Sequence, residues 1–291
     1  MYHISVLKNE VLSYLVTNPQ GVYLDVTVGG AGHSYALLEK YSDIKMIVSD
    51  WDYNAIKQAQ EKLSIFGDRV IILHSSFAHI KNKLEEYGIN KVHGVLADFG
   101  TSQYQLLHQE GFSFRYDSFL DMRMSTSHSK VLAADILKMS SEKQLADIFY
   151  YYGQERAAKK VARKIIEERM VKPIRTSLHL AEVVESVIPR HSHMHPATKV
   201  FQALRIAVNK ELEQIESLLN QVPGILEVKG RLACISFHSL EDGLVKQFYK
   251  NNKSHFAIIG QKIILPTEEE IRANPASRSA KMRVLEKVSC L

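Results

Sequence analysis

Apolar residues recur along this chain in two rhythms. Short runs rich in Val, Ile and Leu occur at 22–28 (VYLDVTV), 45–50, 69–73 and 92–98, each bounded by Gly, Asp or Ser. Between them, 33–41, 53–64 and 77–87 read as helices. Strands that alternate with helices predict βαβ units and a parallel sheet covered on both faces, because parallel strands need a crossover between them. From 105 to 196 no comparable strand pattern occurs, and helices are predicted at 131–151, 154–170 and 177–188. Phe201, Leu204, Val208, Leu212, Ile215, Leu219 and Val222 then fall at steps of three and four, which predicts one helix over about 197–222 with a single apolar stripe. The strand pattern resumes with GRLACISF at 230–237, a helix follows over LEDGLVKQFYK, and FAIIG, IILP and KMRVLEKV supply closing strands. The expectation is an α/β doubly wound sheet built from 1–104 and 197–291, interrupted by an all-helical insertion at 105–196.

Composition changes this picture little. With 291 residues, 45% hydrophobic and 24% charged, the chain matches a soluble globular protein with one inserted segment. It contains no internal repeat, no apolar run near the roughly 18 residues that span a bilayer, and no charged-then-apolar leader layout, so a cytoplasmic location without a membrane partner is expected. Cys234 and Cys290 show neither C-x-x-C spacing nor a disulfide framework, and no metal site is expected. The formal charge of +5 is unevenly spread, since residues 151–175 carry eight cations against three acids. Arg156, Lys160 and Arg163 fall at steps of four and three, with Ala158, Val161, Ala162 and Ile165 on the opposite side. Such a stripe suits a polyanion such as RNA, with a solvated helix face as the alternative.

The chemistry points to the turn after the first strand, LDVTVGGAGHS at 24–34. Ligands of open α/β sheets bind beyond the carboxyl ends of the strands, where glycines let a ligand approach the backbone and a helix N-terminus favours a carboxylate or phosphate. The second strand ends at Asp50, 20 residues after Gly30, the separation expected of an acid that accepts from ribose hydroxyls. A dinucleotide fingerprint through Gly30 and Gly32 needs a third glycine where Tyr35 stands, and no phosphate-loop motif occurs. S-adenosylmethionine is the remaining common ligand for such a loop and acid, and the alternative is a turn that only packs.

Seven blocks narrow the choice: LKNEVL (7–12), DVTVGGAGHS (25–34), ADFGTSQYQL (97–106), GFSF (111–114), LDMRM (120–124), HPATKVFQALRIAVNKEL (195–212) and ISFHSLED (235–242). In order and wording they resemble the bacterial small-subunit ribosomal RNA cytosine-N4 methyltransferase family, also called MraW. The resemblance implies a Rossmann-like class I sheet dependent on S-adenosylmethionine, with a helical insertion for RNA recognition after the fourth strand. It implies N4-methylation of a cytosine in the decoding region of small-subunit (16S) rRNA, with the rRNA within the small ribosomal subunit as partner and a homodimer left open. Position by position, it places Ala31, Gly32, His33, Asp50, Phe77, Asp98 and Gln105 against the cofactor. Ala31 stands where the family usually has glycine, so its methyl group is expected at the closest backbone approach. Glu110 and Gly243 replace basic residues, and Trp51 sits beside the ribose acid.

Asp98, at the end of the fourth strand, is the catalytic candidate, because a carboxylate that accepts an N–H localises the amine lone pair. Binding the cofactor alone is an equal reading of Asp98. The chain has DFGTS rather than a D-P-P-Y motif, so a base platform is sought in Tyr104, Phe112 or Phe114. Arg205, Asn209 and His238 are further substrate-binding candidates, with a satisfied polar network beside Gln202 as the alternative for the first two. Ser236, His238 and Asp242 suggest a hydrolase triad, which the missing nucleophile elbow argues against. His191, His193 and His195 alternate in a polar loop, where chance is preferred over a metal site. A DNA methyltransferase and a non-catalytic RNA-binding assembly factor are the competing functions.

Overall fold

The computed structural model describes residues 5–101, 105, 109–189 and 195–289. The chain divides into two compact units, one of residues 1–100 with 212–291 and one of residues 101–211. The first unit carries a seven-stranded sheet made of β1 (Val22–Asp25), β2 (Lys45–Asp50), β3 (Val70–His74), β4 (Val92–Asp98), β5 (Leu226–Ser236), β6 (Phe256–Ile258) and β7 (Lys281–Lys287). Their order is β3-β2-β1-β4-β5-β7-β6. The pairs from β3 to β5 are parallel, and β7 runs antiparallel to both β5 and β6. The order reverses between β1 and β4, the switch point at which such sheets open a crevice beyond their carboxyl ends.

Alternation along each strand fills two cores. Met46, Val48, Leu96, Ala233 and Ile235 pack in one cluster, while Ile47, Val95, Ala97, Leu232 and Cys234 pack in the other. Both faces of the central strands are therefore dry, which explains their near-continuous apolar runs. Burial pushes the Cys234 thiol far up, in keeping with an inert side chain; Cys290 lies outside the described residues.

Three sequence expectations change. The first strand ends at Asp25, three residues early, because Val26 and Val28 bond individually to Leu96 and Ser49 rather than extending the ladder. IILP contributes only an isolated bridge, Ile264 to Met282. The stretch 131–151 is two helices, Ala133–Met139 and Glu142–Tyr151, because Ser141 and Gln144 form a capping box that starts the second.

The apolar stripe of 197–222 is likewise two helices, Thr198–Asn209 and Glu211–Ile225. Lys210, at φ 50°, takes the left-handed conformation that ends the first. Phe201, Leu204 and Val208 belong to the core of the second unit, whereas Ile215, Leu219 and Val222 belong to the sheet. The division thus falls after Gly100 and after Glu211, and Thr198–Asn209 belongs to the helical unit rather than to the sheet-bearing part. Among the described residues no helix is long and apolar enough to cross a membrane.

Gly94 lies on the strand that delivers Asp98, and a Cβ there would stand 2.7 Å from the ring of fully buried Tyr23. Overpacking of a tight core costs about 1–3 kcal/mol. Gly94→Ala is therefore expected to lower the free energy of unfolding by that amount, read as a lower urea midpoint with an unchanged slope, and an unaltered midpoint would contradict the packing described.

Candidate functional site

Three carboxylates end three adjacent strands, Asp25 on β1, Asp50 on β2 and Asp98 on β4. Each is built into the turn differently. Asp25 accepts the Thr27 N–H at 3.1 Å and the Ser34 hydroxyl at 2.6 Å, tying the end of β1 to the helix Gly32–Lys40. Thr27 in turn accepts the Asp98 N–H at 2.7 Å, which pins β4 to the same turn. Asp50 accepts the Gly29 and Asp52 N–H groups, both at 3.0 Å. These bonds make the turn a preformed cradle rather than a loose loop.

The glycines serve distinct ends. Gly29 adopts φ 46°, which L side chains rarely take. At Gly32 a Cβ would stand 1.9 Å from the Ser5 hydroxyl oxygen, so this glycine permits close chain packing. Ala31 tolerates φ 55° without being glycine, and its methyl group is fully buried in the core cluster. The expectation that this methyl faces a ligand is therefore corrected, because it points into the protein interior.

Burial dominates the electrostatics. Loss of water raises Asp25 to about 6, Asp50 to about 7 and Asp98 well above the usual carboxylate range. For Asp98 the negative charges of Asp25 and Glu241 add to the effect, and its Oδ1 is buried without a hydrogen-bond partner. His33 donates from Nε2 to the Val6 carbonyl at 2.8 Å, and burial lowers its pKa to about 4. Its Nδ1 therefore faces Asp98 Oδ2 at 3.9 Å as a neutral lone pair, beyond hydrogen-bond reach and not as an ion-pair partner.

Beside Asp50, the rings of Trp51 and Phe77 lie 6.5 Å apart at 35°, and Phe99 lies 6.3 Å beyond Phe77. The row offers an apolar seat for a flat heterocycle next to the acid.

His238 caps the helix Ser239–Asn251 by accepting the Glu241 N–H, and lies 3.1 Å from Glu241. Buried Glu241 accepts the Phe237 and His238 N–H groups, while Asp242 pairs with Arg283 at 2.6 Å. Asp242 is thus committed to Arg283, and the hydrolase triad is not assembled. His238 therefore uses Nδ1 as a helix cap, with Nε2 facing Glu241.

The helical unit places its own candidates. Arg205 grips Glu211 through two bonds of 2.9 and 3.0 Å and donates to Thr101 at 3.0 Å. Asn209 accepts the Met124 N–H and donates to the carbonyls of Met122 and Arg205. Both side chains serve a network internal to this unit, the outcome weighed against RNA contact. Arg156 precedes the helix, which runs Ala158–Val171, while Lys160 and Arg163 are exposed on it. Ala158, Val161, Ala162 and Ile165 are buried as expected. His195 bonds Glu185 at 2.6 Å and stacks on Phe114, which leaves that ring packed rather than open. Gln105 is buried in this unit, whereas Tyr104, His191 and His193 lie outside the described residues.

Sequence reasoning missed the network of Asp25, Thr27 and Ser34 and the buried Glu241. The available signal was polar residues set at the end of a strand pattern and in the first turn of the next helix, where a core residue would otherwise fit.

Comparison with known proteins identifies the family of this chain. The family model described as the MraW methylase family matches residues 1–288. The ribosomal RNA small subunit methyltransferase H of Clostridioides difficile (strain 630) is 42% identical, with 99% of each chain covered. That of Nostoc punctiforme is 45% identical over 98% of this chain and 94% of the relative. Among solved structures, a putative rRNA methylase from Clostridium thermocellum has a TM-score of 0.48 at 11% identity, covering 99% of this chain and 100% of that one. With a family model spanning nearly every residue, a glycine turn joined to Asp50 at the switch point of the sheet, and full-length relatives at this identity, the chain belongs to the MraW methylase family.

Proposed function

We propose that this chain transfers a methyl group from S-adenosylmethionine to N4 of a cytosine in the decoding region of small-subunit rRNA. Methylation of small-subunit rRNA follows the names of its full-length relatives. The choice of cytosine N4 rests on the sequence resemblance together with one observation, the buried and unpartnered Oδ1 of Asp98 beside the glycine turn.

The residues present fit the cofactor. Asp50 is placed to accept ribose hydroxyls, Phe77 and Trp51 to seat the adenine, and the turn through Ala31, Gly32 and His33 to face the methionine portion at the positive end of a helix. Gln105 is assigned to the same ligand by resemblance. When bound, the cofactor supplies an electrophilic methyl group and a positive sulfonium. Positive charge beside Asp98 would favour its carboxylate, because an opposite charge nearby stabilises the ionised form. The ionised oxygen would then accept an N–H of the cytosine amine, hold the lone pair off the ring, and take that proton as the N–C bond forms and S-adenosylhomocysteine leaves. His33, neutral and anchored to Val6, keeps one side of Asp98 from forming a competing ion pair. The proposed setting is cytoplasmic, on rRNA within the small subunit.

The role of Asp50 predicts a pH dependence. Its free-state pKa of about 7 means that it is largely protonated at lower pH, whereas hydroxyl donors select the carboxylate. Affinity for S-adenosylhomocysteine, measured by calorimetry, is expected to rise from pH 5.5 and level off above about 7. Asp50→Asn should weaken binding by about 5–150-fold, the equivalent of 1–3 kcal/mol, and flatten the profile. Parallel pH profiles in the two proteins would refute this assignment.

The role of Asp98 predicts a kinetic defect. Asp98→Asn keeps the shape but removes the charge, so single-turnover methyl transfer to small-subunit particles at saturating cofactor should slow about 10²–10³-fold. Nucleoside mass spectrometry should identify the wild-type product as N4-methylcytidine. A wild-type rate in the variant would remove Asp98 from the chemistry, and a product methylated elsewhere would overturn the cytosine N4 reading.

A further inference from the structure

On the helix Ala158–Val171, Lys159, Lys160, Arg163 and Lys164 line a concavity of about 300 Å³, with Glu167 at its end and Val187 as an apolar wall. Residues 159 and 163 form one row and 160 and 164 the next, each row stepping one helical turn along the axis. Arg163 lies 3.6 Å from Glu142 and Lys164 3.8 Å from Glu167, both in exposed, loose pairs. Lys159 and Lys160 are exposed and form no ion pair among the described residues. Four cations therefore converge on one hollow that holds a single acid.

We propose that this hollow is a docking surface for the sugar–phosphate backbone of single-stranded RNA, an inference that rests on the rRNA reading above. Like charges this close repel one another and hold condensed counterions, which a polyanion releases on binding. The rise of one turn, about 6 Å between residues four apart, is comparable with the interval between neighbouring phosphates on a strand. The concavity is too small for the girth of a duplex, and it presents cation tips and aliphatic stems with no planar amide to read base edges. It therefore contributes affinity and register without sequence preference. The surface differs from the one expected from sequence spacing: Arg156 lies before the helix, and Lys159 and Lys164 join Lys160 and Arg163 in its place. Arg169 is not available, because its guanidinium binds the carbonyls of Leu137 and Ser140.

The test compares the full-length wild type, a Lys159→Ala/Lys160→Ala double variant, and a Lys143→Ala/Lys172→Ala control that loses the same charge from exposed positions outside the hollow. Filter binding of a mixed-sequence single-stranded RNA oligonucleotide is measured between 50 and 200 mM salt, after equal unfolding midpoints confirm that all three proteins fold. A single-strand contact contributes about 0.7 to the slope of log affinity against log salt, so the double variant should lose about 1.4 while the control keeps the wild-type slope. Equal slopes in all three proteins would overturn the proposal, as would equal losses in both variants. Loss of binding to anionic phospholipid vesicles with RNA binding intact would also overturn it, by assigning the hollow to a membrane surface. Product analysis separates the two readings: a reduced slope without N4-methylcytidine leaves the docking surface standing and the reaction refuted, and the reverse result refutes only the surface.

Discussion

Desolvation of three neighbouring carboxylates is the constraint around which the sheet-bearing unit is arranged. Asp25, Asp50 and Asp98 end adjacent parallel strands, and among the described residues none of them pairs with a lysine or arginine. Buried acids without cations are costly, and the protein offsets this in two ways. It supplies dipolar donors, the N–H groups of Thr27, Gly29 and Asp52 and the hydroxyl of Ser34. It also raises all three carboxyls above the usual carboxylate range. The glycine turn follows from the first device, since only backbone that doubles back tightly can aim an N–H at Asp50.

A pocket of this kind discriminates by charge. A ligand that brings hydroxyl donors to Asp50 and positive charge toward Asp98 favours their ionised forms. Neutral His33 leaves that vacancy of charge to the ligand. The helical unit has a local basic character, with Lys159, Lys160, Arg163 and Lys164 gathered on one helix around a hollow. On the proposed reading, the sheet-bearing unit takes the cationic cofactor and the basic hollow of the helical unit takes the RNA backbone.

Much of this was legible in the sequence because it rests on local rules. The strand pattern ended at Asp50 and Asp98, and the interval from Gly30 to Asp50 pointed to an acid for ribose hydroxyls, whereas the Gly29 N–H that Asp50 accepts was not foreseen. What escaped depends on which core a side chain enters. The stripe from Phe201 to Val222 has unbroken helical spacing, yet Lys210 turns the chain and each half feeds a different cluster. Ala31 looked like an obstacle to a ligand because spacing does not reveal that its methyl group points inward. Arg205 and Asn209 have the chemistry of substrate contacts, and their bonds to Glu211 and Met122 depend on tertiary neighbours.

The central claim is that the cofactor occupies the carboxylate cluster and completes it electrostatically. Calorimetric titration of the wild type with S-adenosylmethionine at pH 6.5, repeated in buffers of different ionisation enthalpy, measures protons exchanged on binding. Since Asp50, with a pKa of about 7, is largely protonated in the free protein at that pH and hydroxyl donors select its carboxylate, binding should release protons to the buffer. Binding heats that do not depend on the buffer would show that no carboxylate changes its charge and would contradict the account.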